Sequence, residues 1–427
     1  MTVIGRMRNS SLASGTATYM LASVVNAAIP FMLLPVLTRY LAPSEYGQVA
    51  VFQVWVALVG ALCGLSVHGA AVRKYYDYDN PDAEIGEFIS ACIMVLVLSS
   101  SIIFVLLLPL LDLVSGAVGL SRSWLLIGVL FAFCSFLVQL RLGQWQVRKK
   151  PKYFGMFQIS MSLLNMFLSL LLVVVFTLGV SGRLSGNTVA VVFFGAFALF
   201  LLKRDGLIRF SWRPDLMAEA LRFGVPLIPH VIGAFLLITI DRAVISAQLG
   251  LDQAGYYMVA VQFAMVMALI LDSVNKAYTP WLYERLNRDE KKEKVFVVKL
   301  TYFYGLFLLT LSALAFLIGG EVLVFIAGDE YQPAAEIIGW LILGKAFHGM
   351  YYMVCSYVFY KKKTSLVARV TIFTGVVNVA LLIALSASFG LVGAAWAMCL
   401  SMLLQFSITW VVAARLVNMP WGLRVLQ

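Results

Sequence analysis

Residues 223–264 read FGVPLIPHVIGAFLLITIDRAVISAQLGLDQAGYYMVAVQFA and contain the features around which the rest of the chain is organised. Pro226 and Pro229 bracket the start of an apolar helix, and the charged pair Asp241–Arg242 follows inside an otherwise apolar run. A charge at membrane depth costs roughly 2.5–3.5 kcal/mol on insertion scales, and it normally faces water or a partner. The pair is therefore the first candidate for a functional site.

The composition of the whole chain indicates a protein embedded in a bilayer. Of the 427 residues, 62% are hydrophobic and 12% are charged, and the mean hydropathy is +0.92. Soluble domains carry about 25% charged residues, and a soluble protein of this size could not bury so much apolar surface. The five cysteines all fall in apolar runs without metal-ligand spacing, so we interpret them as small core residues.

Apolar stretches of about 20 residues, the length that crosses roughly 30 Å of hydrocarbon, recur along the chain. The alternating pattern of a barrel strand is absent, so helices must satisfy the backbone hydrogen bonds. We count about twelve spans, a number set by that length criterion. The predicted spans are residues 11–38, 47–72, 85–111, 123–146, 154–179, 187–202, 223–248, 255–281, 296–319, 333–359, 365–388 and 391–414.

Loop charges test this count independently. With the N-terminus placed in the cytoplasm, 26 of the 32 Lys and Arg fall in cytoplasmic segments, Arg141 among them, and only Arg39, Arg122 and Arg183 fall in outer loops. This is the positive-inside bias along the whole chain. The count predicts that both termini are cytoplasmic. It also explains the net charge of +11 as an orientation signal and an attraction to anionic headgroups, not as nucleic-acid binding.

The chain also carries a weak internal repeat. The turn at residues 41–47, LAPSEYG, follows the first span, and the turn at residues 249–255, LGLDQAG, follows the seventh. With six spans on either side of a basic segment, the halves would share an orientation and form a parallel repeat. We predict an N-terminal lobe over residues 1–202, a cytoplasmic linker over 203–222 and a C-terminal lobe over 223–427.

These pieces together resemble the Wzx-type polysaccharide (O-antigen) flippases of the multidrug/oligosaccharidyl-lipid/polysaccharide exporter superfamily. The resemblance covers nearly the whole chain. It implies an all-α polytopic membrane protein whose two six-helix lobes surround a central cavity. It also implies transport of undecaprenyl-pyrophosphate-linked oligosaccharides. The resemblance rests on these segments: LTRYLAPSEYG at residues 37–47, PLIP at 226–229, IDR at 240–242, GLDQAGYY at 250–257, GDEY at 328–331 and GLVGAA at 390–395.

Two cations inside predicted spans are candidates for binding the lipid diphosphate. Asp241 and Arg242 are about 100° apart on a helix and cannot neutralise each other locally. We therefore expect Arg242 to face the cavity, where guanidinium matches phosphate oxygens. Lys345 would be a second contact, paired or facing water, and His348, one turn on, could relay protons. The competing interpretation is structural, with Asp241 and Arg242 each pairing to other helices.

Other polar and helix-bending residues complete the candidate list. Helix-embedded Asn26 and Asn165 could bind sugars in a cavity, or could join helices by hydrogen bonds. Asp272 and Lys276 have the i,i+4 spacing of a pair that neutralises itself. We expect bending at four prolines, Pro30, Pro35, Pro226 and Pro229. We expect no metal and no cofactor, because no His, Cys or Asp cluster has ligand spacing.

The sequence therefore predicts a flippase in the bacterial cytoplasmic (inner) membrane, with alternating access. Its expected partners are the lipid-linked oligosaccharide, membrane lipids, and the polymerase and glycosyltransferases of the same pathway. The alternative is an ion-coupled multidrug exporter of the same superfamily, although predicted spans one to six lack an acid away from their ends. A membrane-embedded glycosyltransferase or polymerase would need a catalytic acid and usually a large outer loop, and the outer loops here are short.

Overall fold

The computed structural model describes residues 11–78, 81–209, 211–288 and 290–422, and in these residues it is built from helices without a strand. Short 3₁₀ and π turns join several of the helices. The helices are α1 Ser11–Tyr40, α2 Pro43–Leu62, α3 Val67–Lys74, α4 Pro81–Leu107, α5 Leu111–Val118, α6 Arg122–Val147, α7 Pro151–Leu170, α8 Gly179–Arg204, α9 Pro214–Gly224, α10 Ile228–Ile238, α11 Asp241–Leu249, α12 Leu251–Arg288, α13 Lys291–Ala327, α14 Gln332–Tyr360 and α15 Thr364–Leu416.

The lengths of these helices match a protein that crosses a membrane many times. Ten helical segments of the described chain are long and apolar enough to cross a bilayer. The last, α15, has 53 residues, and Gly390 (φ 59°, ψ −139°) breaks it between the two spans predicted at 365–388 and 391–414. The all-α, multi-span prediction is confirmed. The cytoplasmic placement of the termini stays a prediction, and Arg6, Arg8 and Arg424 lie outside the described residues.

The helices group into two compact units. The first comprises Met1–Leu41 and Gln48–Val231, and the second comprises Ala42–Gly47 and Ile232–Gln427. In the first unit the main packing joins α6 to α8 and α7 to both α1 and α8, whereas in the second α14 packs on α12, α13 and α15. The predicted linker segment, residues 203–222, lies within the first unit. The cysteines are buried and unbridged, as predicted: Cys63, Cys92, Cys134, Cys355 and Cys399.

The two repeated turns meet each other inside the second unit. A Cβ on Gly47 would lie 2.0 Å from the carbonyl oxygen of Leu251, and a Cβ on Gly255 would lie 1.9 Å from that of Pro43. Only glycine permits so close an approach of two backbones. Gly47 and Gly255 are 208 positions apart, as are Pro43 and Leu251, so the contact is reciprocal. This reciprocity supports the interpretation of the two turns as equivalent positions of a repeat.

Candidate functional site

The charged pair of the quoted stretch lies at a helix break. The amides of Thr239 and Ile240 both donate to the carbonyl of Phe235, at 2.9 and 3.1 Å. The carbonyl of Leu236 is thereby left without its helical donor, and it accepts the side-chain amide of Asn378 at 3.0 Å. The sequence predicted one span over 223–248, but the structure ends α10 at Ile238 and begins α11 at residue 241.

This break gives Asp241 a specific local role. It is the first residue of α11, and its carboxylate accepts the backbone N–H of Arg242 at 2.9 Å. The first N–H groups of a helix have no intrahelical acceptor, and the helix dipole favours a negative charge there. Both effects stabilise the buried Asp241 carboxylate. The signal that sequence analysis missed is the break itself, since the run LLITIDR has no glycine or proline to mark it.

Arg242 is buried without a direct ion pair to a described carboxylate. Its side chain is 6% exposed, and its guanidinium forms neither a salt bridge nor a hydrogen bond with any residue that the structure describes. Buried charges in proteins are normally paired, because the desolvation penalty amounts to several kcal/mol per ion. The closed ion pair of the competing interpretation is therefore not present at Arg242 in the described chain.

A second buried cation approaches the pair from another helix. Lys345 of α14 is 9% exposed, and it lies close enough to Asp241 and Arg242 to interact electrostatically with both. Its ammonium group forms no salt bridge with a described residue. The three side chains comprise two cations and one carboxylate, so the cluster carries a net charge of +1 when all are ionised. Its chemistry suits a bound anion.

Further buried polar groups lie beside this cluster. The hydroxyl of Tyr257 on α12 lies near Asp241, and Gln405 on α15 lies near His348. Their buried oxygens, together with Nδ1 of His348, have no hydrogen-bond partner among the described residues. Most buried polar atoms in proteins do have a partner, so each exception calls for an explanation. We define Asp241, Arg242, Tyr257, Lys345, His348 and Gln405 as the charge cluster.

The predicted polar residues Asn26 and Asn165 both lie in the first unit. Asn26 on α1 accepts a hydrogen bond from Ser162 on α7. The side-chain oxygen of Asn165 on α7 accepts one from Arg183 on α8, at 2.9 Å, and one from Ser169, at 3.1 Å. Each asparagine therefore joins two helices, and its role toward sugars stays a prediction.

The four prolines occupy different settings. Pro30 and Pro35 lie inside α1, which continues to Tyr40. Pro226 forms part of a 3₁₀ turn at Val225–Leu227, and Pro229 opens α10. Bending during transport stays a prediction for all four. The Asp272–Lys276 pair, by contrast, is confirmed, because the two groups lie 2.6 Å apart.

One buried cation was not singled out from the sequence. Arg141 on α6 is 1% exposed, binds the carboxylate of Asp205 and lies 4.2 Å from the ring centroid of Trp145. Partial burial disfavours the Asp205 carboxylate, but hydrogen bonds from Arg141 and Arg204 outweigh this effect, so the pKa of Asp205 lies below its ordinary value. The loop-charge count places Arg141 with the cytoplasmic cations, although residue 141 lies within the predicted span 123–146, and no local sequence pattern shows that Asp205 reaches it.

The fold defines the class of protein. The chain is similar to a structure of the lipid II flippase MurJ in an inward closed conformation, with a TM-score of 0.71, 14% identity, and coverage of 93% of this chain and 87% of that one. It is also similar to an inward-facing multidrug resistance MATE family transporter of the MOP superfamily, with a TM-score of 0.67, 15% identity, and coverage of 92% and 97%. The protein is a multi-pass membrane protein with this helical fold.

Sequence comparison then identifies the family. The model of the polysaccharide biosynthesis protein family matches residues 12–286, and the chain belongs to that family. Two Haemophilus influenzae proteins are similar along most of their length. "Lsg locus putative protein 1" is 25% identical, over 86% of this chain and 90% of that protein. An "uncharacterized membrane protein" is 23% identical, over 83% and 85%. The resemblance stated from the sequence motifs is thereby confirmed.

Proposed function

We propose that this protein is a flippase that moves undecaprenyl-pyrophosphate-linked oligosaccharides from the inner to the outer leaflet of the bacterial cytoplasmic membrane, for cell-surface polysaccharide synthesis. Membership of the polysaccharide biosynthesis family and the fold shared with a lipid II flippase support the transport of a lipid-linked sugar. The single observation that carries the proposal is the buried Arg242 and Lys345, which have no ion-pair partner in the described chain.

The chemistry of this substrate fits the charge cluster. A lipid diphosphate presents several anionic oxygens, and a guanidinium binds two of them at once with a charge that does not titrate. Lys345 would add a second, more flexible contact. Burial strengthens both interactions, because the effective dielectric constant is far below that of water. The headgroup would be held while the lobes alternate their access, and the polyprenyl tail would stay in lipid.

Asp241 and His348 are the proposed coupling residues. Asp241 holds a negative charge beside both cations, and His348 lies one turn beyond Lys345 on α14. A change in the protonation of His348 would alter the net charge that the headgroup meets. Proton coupling would therefore appear as a pH dependence of transport that the His348→Gln variant loses.

Transport by the purified protein in liposomes tests the proposal. A fluorescent polyprenyl-diphosphate oligosaccharide is placed in one leaflet, and its appearance in the other is followed by chemical quenching. We expect Arg242→Gln to slow transport by about tenfold to about a hundredfold, because a hydrogen bond to a charged group is worth about 1.5–3 kcal/mol. Lys345→Gln should have a smaller effect in the same direction.

Lys276→Gln provides the matched control. It also removes one cation from a membrane helix, but Lys276 is neutralised by Asp272 and is about half exposed. We expect it to transport at the wild-type rate. Wild-type rates in correctly inserted Arg242→Gln and Lys345→Gln would contradict the proposed role of the cluster.

The alternative function is an ion-coupled multidrug exporter, favoured by the MATE transporters that share the fold. Export of cationic drugs calls for acids in the membrane core. Among the buried residues that the structure describes, Asp241 is the one acid, and two cations lie close to it. Competition between a polyprenyl diphosphate and a cationic drug for the purified protein separates the two functions, since the exporter would bind the drug more tightly.

A further inference from the structure

The first unit contains a second cationic site, at the ends of α6 and α8 and the start of α7. A cavity of about 670 Å³ opens there. Its charged lining consists of four cations and one carboxylate, which gives a net charge of +3. These five residues are Arg141, Arg148, Lys150, Arg204 and Asp205. We call this cavity the basic pocket.

Arg141 forms the floor of the basic pocket. Its Nη2 binds Asp205, which neutralises one cation, but its Nε is buried without a partner among the described residues. A buried guanidinium that is 1% exposed and retains an unused donor points to an acceptor from outside the chain. The remaining cations lie nearer the surface, and the side chain of Arg204 is 61% exposed. An anionic group could therefore reach the pocket.

Exposed phenylalanine rings form a stripe along α8, starting next to the basic pocket. Counting back along α8 from Arg204, phenylalanines recur at intervals of three and four residues, so they form one stripe on the helix: Phe200, Phe197 and Phe193. Phe197 stacks on Phe200 with ring centroids 6.3 Å apart. All three rings are exposed in the chain. The stripe runs about 16 Å from the charged end, at about 1.5 Å per residue, which is the dimension of an acyl chain and not of a free anion.

We propose that the basic pocket binds an anionic phospholipid of the leaflet that it faces, with the headgroup phosphate on its cations and an acyl chain along the aromatic stripe. Basic pockets between membrane helices are suited to anionic headgroups. The phospholipid is favoured over the transported lipid because the pocket and the stripe both belong to the first unit alone. The pocket opens beside the exposed phenylalanines of α8. The inference does not depend on the proposed transport function.

Lipid binding to the full-length protein in detergent with phosphatidylcholine tests this site. Phosphatidylglycerol is added, and its apparent affinity is measured by thermal shift and by native mass spectrometry. The combined Arg148→Gln, Lys150→Gln and Arg204→Gln variant should lose between about tenfold and about a hundredfold in affinity, since each surface cation contributes about a fivefold factor. Arg141 is left intact to preserve the fold.

The matched control removes three cations elsewhere. Lys361, Lys362 and Lys363 are exposed and lie in the turn after α14. Their combined change to Gln should leave the affinity for phosphatidylglycerol within about twofold of wild type, because any diffuse attraction falls off within a Debye length. Equal losses in both variants would overturn the proposal. If the pocket variant does not fold, Arg204→Gln alone should give about a fivefold loss.

Two competitors distinguish the possible phosphate sources. Inorganic phosphate should not displace phosphatidylglycerol at comparable concentration, and its success would overturn a role for the acyl chain. Undecaprenyl diphosphate should compete weakly. If it bound more tightly than phosphatidylglycerol and lost affinity in the same variant, the pocket would belong to the transported lipid, and the phospholipid assignment would be wrong.

Discussion

Two arginines in this protein are buried to similar extents, but their environments differ. Arg141 in the first unit has a carboxylate partner, an aromatic ring beside it and a cavity in front of it. Arg242 in the second unit forms no ion pair in the described chain, because the adjacent Asp241 is directed to the helix backbone. A protein tolerates an uncompensated buried charge only when the rest of the fold supports it. Such residues are therefore better candidates for ligand binding than paired ones.

Among the substitutions that test this comparison, Arg141→Met is expected to change stability most. Arg141→Met leaves the exposed Arg204 as the remaining partner of the partly buried Asp205 carboxylate, and should destabilise the protein by about 3 kcal/mol. Thermal unfolding in detergent should show a clearly lower melting temperature. Arg122→Met is the control, because the Arg122–Asp112 pair is exposed and should contribute less than about 1 kcal/mol. Similar melting temperatures for both variants would contradict a structural role for Arg141.

The opposite result is expected at Arg242. Arg242→Met removes a buried charge that forms no direct ion pair in the described chain, so stability without substrate should be unchanged or rise by up to about 2 kcal/mol. The same thermal unfolding assay measures the difference. A loss of several kcal/mol would show that Arg242 has a structural partner, and it would remove the physical basis for assigning this residue to substrate.

A smaller effect, dependent on pH, is expected at Asp205. Since the folded protein lowers the pKa of Asp205, its contribution to stability is present at neutral pH and is lost as the pH falls through that lowered pKa. Asp205→Asn should therefore cost about 1–2 kcal/mol near pH 7, less than a fully buried pair because the carboxylate is partly exposed. The difference in melting temperature from wild type should shrink at acidic pH, toward about pH 4 and below. A constant difference across this range would contradict the pairing.

The smallest effect is expected at Asp241. The side-chain oxygen of asparagine can accept the same backbone N–H of Arg242, so Asp241→Asn should change stability by less than about 1 kcal/mol. It should nevertheless raise the net charge of the cluster from +1 to +2 and strengthen the binding of a polyprenyl diphosphate. Melting temperature and ligand affinity are the two measurements. A large loss of stability would indicate a closed ion pair between Asp241 and a cation.

Composition and span length were sufficient to predict the fold class. The apolar stretches predicted most spans to within a few residues, and Gly390 separates the last two as expected. The repeat, which rested on two short turns, acquires support from the reciprocal contact of Gly47 and Gly255. Hydropathy is a local property, so these features could be read from neighbouring residues alone.

The charge cluster was predictable only in part. Arg242 and Lys345 were recognised because cations are costly inside apolar runs, and that cost is independent of tertiary structure. Their proximity to each other, the position of Asp241 at a helix start, and the contributions of Tyr257 and Gln405 depend on how α11, α12, α14 and α15 pack. No sequence interval encodes those distances.

The sequence by itself determined that this chain enters a membrane as a multi-span helical protein and which cations are unusual, since each of these follows from the transfer of individual residues between water and hydrocarbon. Only the tertiary structure decided that Arg141 is neutralised by Asp205, 64 positions away, and that Arg242 is not neutralised by its own neighbour. The physical reason is that compensation of a buried charge depends on distance and direction in space, and these exist only after the helices have packed.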